Sequence, residues 1–388
     1  METHTFQYVR SVGWNIESFP DVDSENTLVL IFAAPLFLNE QEPIRQLIKF
    51  YTNSKVIGCS TAGEICDNYI YDESLSVAVV KFVHTDLKIA QSTVNNIDDS
   101  RLAGESISHQ LKADDLCSIF VLSDGLNVNG SELVKGLNTA LTDENADVII
   151  TGGLAGDGSD FKKTWVIING ELQDNCIVAI GFYGKNLRVG HASQGGWDIF
   201  GPVRRVTRSK ANVLYELDYK PALQLYKEYL GEKSVDLPAS GLLYPLSISD
   251  PSSNESTQLV RTILSVDEQD QSLIFAGDIP FGFNAQLMRA NFDRLIDSAS
   301  EASLLANNGM SIDDNNKVHP VFAICISCVG RRLLLGERTE EETDSTLKSL
   351  PEGSIQTGFY SYGELSPFTA GKCELHNQTM TITTFYET

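Results

Sequence analysis

The side chains best equipped for chemistry crowd into one stretch, RVGHASQGGWDIFGPVRRVT (Arg188–Thr207), with Arg208 following at once. His191 supplies an imidazole, which titrates near neutrality and ligates metals and haem iron. Trp197 offers a flat apolar wall, and Gly195 and Gly196 allow close backbone approach. Arg204, Arg205 and Arg208 carry guanidinium forks that match carboxylates bidentately, although pairing with the chain's own acids fits them equally. A second imidazole of interest, His376 in CELHNQTMTI, precedes an alternating segment and can point into a cavity at its start. His4, His84, His109 and His319 sit in polar or terminal contexts that favour solvated faces.

Other motifs support chemistry less well. The loop GGLAGDG (Gly152–Gly158) has the glycines of an anion cradle. It lacks a following Gly-Lys-Ser/Thr, and Asp157 repels phosphate, so a tight turn at a strand end is expected, with Gly153 and Gly156 free to line a ligand pocket. GCSTAG (Gly58–Gly63) misses the Gly-x-Ser-x-Gly spacing of a nucleophile elbow, which leaves a hydrolase using Cys59 or Ser60 as a third-ranked function. Cys325 and Cys328 lie in an apolar run, FAICISCVG. On a strand, positions three apart face opposite ways, so buried structural thiols are expected there. In GERTEEE, Thr339 followed by Glu342 reads as a capping box.

These residues must be positioned by a chain of 388 residues, long enough for two parts. Its 29 basic and 52 acidic residues give a formal net charge of −23, which repels phosphate backbones and excludes nucleic acid as a partner class. The longest apolar run, Thr27–Leu38, is too short to cross a hydrocarbon core of about 30 Å as a helix. The N-terminus lacks a signal-peptide pattern, and seven scattered cysteines describe no disulfide framework, so a cytoplasmic location is expected.

Apolar runs alternate with helical periodicity through the first half, the pattern of an α/β or α+β fold with mixed sheets flanked by helices. TLVLIFA, KVIGCS, SLSVAVVKF, CSIFVLS and DVIITGG read as strands. Ile44, Leu47, Ile48 and Tyr51 mark one helical stripe. Leu102–Leu111 marks a second helix, and a third carries Leu133, Val134, Leu137 and Leu141 behind the capping side chains of Asn129–Ser131. The strand-to-glycine turns at Gly58–Gly63 and Gly152–Gly158 echo one another. SKANVLYELDYKPALQLYKEYLG reads as two helices broken at Pro221, and NAQLMRANFDRLIDSASEASLLA as one long amphipathic helix with Leu287, Met288, Leu295, Ile296 and Ala299 near one face. DPSSNES (Asp250–Ser256) is a surface loop by composition. The parts are expected to be 1–200 and 201–388.

The ordered motifs IGCSTAGEI, SDGL, TGGLAGDG, QGGWDIFGPVRRVTRSKANVLYELD, SCVGRRLLLGERTEEE and GFYSYGELSP resemble the FIST family, from about Val29 to the C-terminus. The resemblance implies an intracellular, non-enzymatic sensory module with an N-terminal and a C-terminal part, for which amino acids are proposed ligands. Stand-alone members of this length also resemble NosP-type haemoproteins. That narrower likeness implies a haem b cofactor on one histidine, nitric oxide as ligand and a separate histidine kinase as partner in a two-component system, with self-association left open. On it, His191 is favoured over His376 as axial ligand, beside Trp197 and with Arg204, Arg205 and Arg208 at the propionates. Without haem, the alternative is an amino-acid sensor in which the arginines and the turn Tyr362, Gly363 and Glu364 hold the two ends of a zwitterion.

Overall fold

The computed structural model describes residues 1–139, 148–168, 170–252, 258–308, 310–312, 317–368 and 372–388. Leu141 and part of the polar stretch after Asp250 lie outside them. Seven helices are described: α1 (Glu42–Phe50), α2 (Ser100–Leu111), α3 (Gly130–Thr139), α4 (Ala222–Leu230), α5 (Phe292–Ala306), α6 (Val329–Leu335) and α7 (Thr339–Lys348). The strands form three mixed sheets, one of seven strands and two of six, and a fourth sheet of nine strands whose pairs are antiparallel.

Three of these sheets repeat one plan. Each is centred on a parallel pair joined by a helical crossover: Thr27–Ala33 with Lys55–Ser60 through α1, Leu116–Ser123 with Ile149–Leu154 through α3, and Phe322–Cys328 with Ile355–Ser361 through α6 and α7. An antiparallel strand flanks the first member of each pair: Ser74–Lys81, Cys176–Tyr183 and Met380–Glu387. A hairpin lent by another repeat flanks the second member. Glu64–Cys66 joins the third repeat, Val166–Ile168 the first, and Gly363–Pro367 the second. The exchange closes a cycle, so the repeats are threaded through one another.

Composition explains this layering. Along TLVLIFA, Leu28, Leu30 and Phe32 enter a core shared by all three sheets, while Val29 and Ile31 face the layer under α1. Both faces of such a strand are covered, which is why the run is continuously apolar. Phe120 and Leu122 of the second repeat and Phe322, Ile324 and Ile326 of the third meet Phe32 in the shared core. Glycines Gly58, Gly152 and Gly358 occupy one register: a Cβ at each would collide with the carbonyl of Ile31, Val121 or Cys325 on the neighbouring strand. The echo read at two turns is thus threefold.

The fourth sheet lies between Asp198 and Arg289, packed with α4 around its own core. Here the periodicity misled. Val213–Leu217 is a strand, and α4 begins only after Pro221, which ends the strand pairing and serves as N-cap. Asn284–Arg289 is likewise a strand paired with Leu246–Ser249, and α5 starts behind the Asn291 cap, whose side chain accepts the Arg294 N–H. Sheet pairing outweighed helical spacing in both places. The parts expected at 1–200 and 201–388 are interlaced: Leu187–Gln194 pairs along its length with Met380–Glu387.

Candidate functional site

At one end of the threefold core, the three turns after the second parallel strands meet and bond in a ring. Gly156 N–H donates to the Ser60 carbonyl (2.9 Å), Ala62 N–H to Tyr360 (2.8 Å) and Tyr362 N–H to Leu154 (3.2 Å). Two acids lie buried under this ring. Glu64 accepts from Thr61 and Ser74, and Glu364 from Ser361 and Thr379; burial pushes both carboxyls up to about 8.

Beside the ring, between the second and third repeats and the inserted sheet, lies a cavity of about 750 Å³. Leu126, Val128 and Asn129 form one wall, Val329, Gly330 and Leu333 of α6 a second, and Thr262, Ile263, Leu264 and Asp278 of the inserted sheet a third. Asp124, fully buried, shapes the first wall: its carboxylate accepts the N–H groups of Leu126, Asn127 and Asn175 and the Thr164 hydroxyl. Asn129 accepts the Glu132 N–H at the start of α3, as its capping role required. Asp157 accepts from the N–H groups of Phe161, Lys162 and Lys163 and from the Tyr362 hydroxyl, and so lays Phe161 flat on Tyr362 with centroids 4.6 Å apart.

A second cavity, about 620 Å³, shares Val329 and Leu333 with the first. Arg332 lines it, donating to the Ala62 carbonyl and to both oxygens of Asp72. Its neighbour Arg331 turns inward to a fully buried pair with Glu342 at 2.6 Å and donates to the carbonyls of Gly195, Leu295 and Gln378. Helix α6 is therefore the wall between the cavities and a connector to the core. The expected capping box dissolves: Thr339 donates to the Gly336 carbonyl, and Glu342 is claimed by Arg331, Ser327 and Tyr360. A buried guanidinium needs its partner more than a helix start needs a cap.

Of the residues marked in the sequence, Tyr362 lines the main cavity, whereas the Glu364 carboxyl is buried among Ser361 and Thr379 and Gly363 packs on Leu154 and Leu375. Gly153 faces Ile326 and Phe359 in the core, and Gly156 abuts Ala62 with its N–H spent in the ring, so neither cradles an anion. Positive φ in that loop falls instead on Gly152 and Gly158.

Arg204 and Arg208 of the conspicuous cluster meet protein acids through their side chains, and Arg205 through its backbone. Arg204 bonds Asp218 and the Tyr229 hydroxyl, the Arg205 N–H donates to Asp218, and Arg208 pairs with Glu216 and lies over Tyr215. Only Arg204 borders a cavity described here, one of about 20 Å³. Trp197 is buried, with its indole N–H on the Gln378 carbonyl at 2.8 Å.

His376 is buried, its Nε2 2.9 Å from the Ser366 carbonyl, and burial lowers its pKa to about 4. His191 is half-buried on the strand Leu187–Gln194, opposite Thr383, and burial lowers its pKa too. Neither imidazole lines any of the four cavities described. An axial haem ligand needs a flat slot at its free nitrogen; none of the four cavities described offers one at either histidine, while His191 Nδ1 is buried without a hydrogen-bond partner among the described residues. Among the described residues, no group of three or more His, Cys, Asp or Glu is placed to hold a metal ion. Cys325 and Cys328 are buried free thiols on opposite faces of their strand, as their spacing required. Cys59 is also buried, and burial with Glu64 nearby pushes its thiol well up, away from the nucleophilic thiolate; Ser60 Oγ accepts the Trp165 N–H.

The FIST N domain matches residues 27–220, and the FIST C domain matches residues 222–367. The chain belongs to the FIST family. FIST domains are sensory domains of signal-transduction proteins, and the cavity lies where FIST N and FIST C residues meet. An uncharacterized protein of Methanocaldococcus jannaschii is 25% identical over 324 residues, covering 76% of this FIST chain and 58% of that protein. The chain thus spans little more than half the length of that relative. Cyanuric acid hydrolase from A. caulinodans aligns with 78% of the chain and 68% of its own at 10% identity and a TM-score of 0.25, too slight a likeness to bear on fold or chemistry. No helix among the described residues is long and apolar enough to cross a membrane.

The signals that were overlooked are specific. SDGL and SCVGRR stood in the sequence only as motifs of the resemblance, with no role given to their side chains, yet the first supplies Asp124 and the second supplies α6 with Arg331 and Arg332. Asp157 was set aside for repelling phosphate, and its work is to fix Phe161.

Proposed function

We propose that this FIST protein senses a small organic ligand in the cavity between the FIST N turns and the inserted FIST C sheet, and signals through α6. The observation that carries this reading is that one short helix walls the cavity with Val329, Gly330 and Leu333 while its next side chains, Arg331 and Arg332, reach the buried Glu342 and the Ala62 turn. Ligand pressing on α6 is thereby felt in two repeats. The mixture of apolar walls and a few polar groups is that of small-molecule sites, and the position between two parts is a usual one.

The output passes to a separate protein, for which a histidine kinase is the partner to test by autophosphorylation with and without ligand. Seven free cysteines favour a reducing cytoplasm as the setting. Haem sensing of nitric oxide finds no support at His191 or His376, and a featureless visible spectrum is expected after expression with haem precursor. The decisive experiment screens ligands by thermal shift. Saturation should stabilise the fold by about 2.7 kcal/mol at a hundredfold excess over Kd. Leu264→Trp, which plugs the cavity, should abolish the shift without unfolding the protein. A shift retained in that variant would place the ligand elsewhere.

A further inference from the structure

The character of the cavity narrows the ligand class, on the reading that this cavity is the site. Among the described residues lining it there is no lysine, arginine or histidine; its charged members are Asp236 and Asp278. The Asp278 carboxylate is only loosely engaged, accepting from Asn129 Nδ2 and Lys135 Nζ at 3.3 Å each, and Lys135 is held closer, at 2.6 Å, by Glu132. The buried cation nearby, Arg261, donates to the backbone carbonyls of Asp278, Val260 and Leu375. The stacked rings of Phe161 and Tyr362 line the same cavity, with the Asp157 carboxylate at the tyrosine hydroxyl. Aromatic faces attract cations, and charge placed behind them adds to that field. An anion entering here would lose its hydration and meet acids.

We propose that the ligand is a small apolar amine, bound as its cation with the ammonium at Asp278 and the body against the aromatic pair and the aliphatic walls. A free carboxylate or phosphate is excluded, and a zwitterionic amino acid is disfavoured because its carboxylate finds no basic side chain in the lining.

Isothermal titration of the full chain at pH 7 with shape-matched probes tests this: 2-phenylethylamine, 2-phenylethanol, 3-phenylpropanoate and phenylalanine. The amine should bind about tenfold or more tighter than the alcohol, as expected for a charge-assisted contact, and the propanoate weakest. Asp278→Asn should erase the amine's advantage and leave the alcohol unchanged. Phe161→Leu, at an exposed ring, should weaken the amine more than the alcohol. Equal binding of amine and alcohol, tightest binding of the propanoate or phenylalanine, or failure of the amine to bind would overturn the assignment of ligand class. If the alcohol then still bound and lost its binding in Leu264→Trp, the cavity would stand without that class. Amine binding that survived both Leu264→Trp and Asp278→Asn would sink the cavity as well.

Discussion

Two sets of arginines in this molecule do opposite things. Arg331 is wholly buried, paired at 2.6 Å with an equally buried Glu342 and bonded to three backbone carbonyls from three segments. Arg204 and Arg208 sit on one hairpin of the inserted sheet, pairing with Asp218 and Glu216 in reach of water. The first set has no solvent to fall back on; the second exchanges its partners for water at little cost. Density of charge in a sequence says less about consequence than the environment each charge is folded into.

The largest expected effect is at the buried pair. Glu342→Gln or Arg331→Met should each destabilise the fold by about 3–5 kcal/mol in urea unfolding, the cost of stranding one buried charge. Next comes the register shared by the three repeats. Gly358→Ala forces a Cβ against the Cys325 carbonyl and should cost about 1–3 kcal/mol by overpacking, although φ there is not positive. A near-neutral Gly358→Ala would show that the third repeat is looser than its packing implies.

A subtler test uses pH. Glu64 and Glu364 titrate at about 8 in the folded chain, against about 4.3 in an unfolded one. Between those values the folded state holds protons that the unfolded state has released, so these acids stabilise fully below about pH 4.3 and their contribution is lost as pH rises to 8. His376, folded neutral with a pKa of about 4, works in the other direction only up to its unfolded value near 6.5. Stability measured from pH 6.5 to 8 should therefore fall, and Glu364→Gln should make the fall shallower. An unchanged slope would mean that Glu364 is ionised in place.

The smallest effect belongs to the exposed set. Arg204→Gln, Arg205→Gln and Arg208→Gln combined should leave both the unfolding midpoint and ligand affinity close to those of the parent chain. Loss of binding in that variant would return the site to the hairpin.

Much of the fold was legible because it rests on local rules. Continuous apolar runs bounded by turns marked the parallel strands of the first two repeats and the first of the third, and Asn129 marked the start of α3. Val213–Leu217 and Asn284–Arg289 were misjudged because their spacing fits a helix, and only pairing with distant strands decides the matter. The site was harder. Its walls come from residues 126–130, 262–264, 275–278 and 328–333, and no sequence neighbourhood contains them together. Of the site residues, Tyr362 was found through its motif, while His191, His376 and the arginines drew notice by side-chain type, which burial and pairing then overrode.

Hydrogen exchange on the full chain, with and without saturating 2-phenylethylamine, tests the account most directly. Protection should rise in 124–130, 262–264 and 328–335 and stay unchanged in 188–194 and 204–208. Protection confined to 188–208, with none along α6, would contradict the assignment of the cavity as the sensing site.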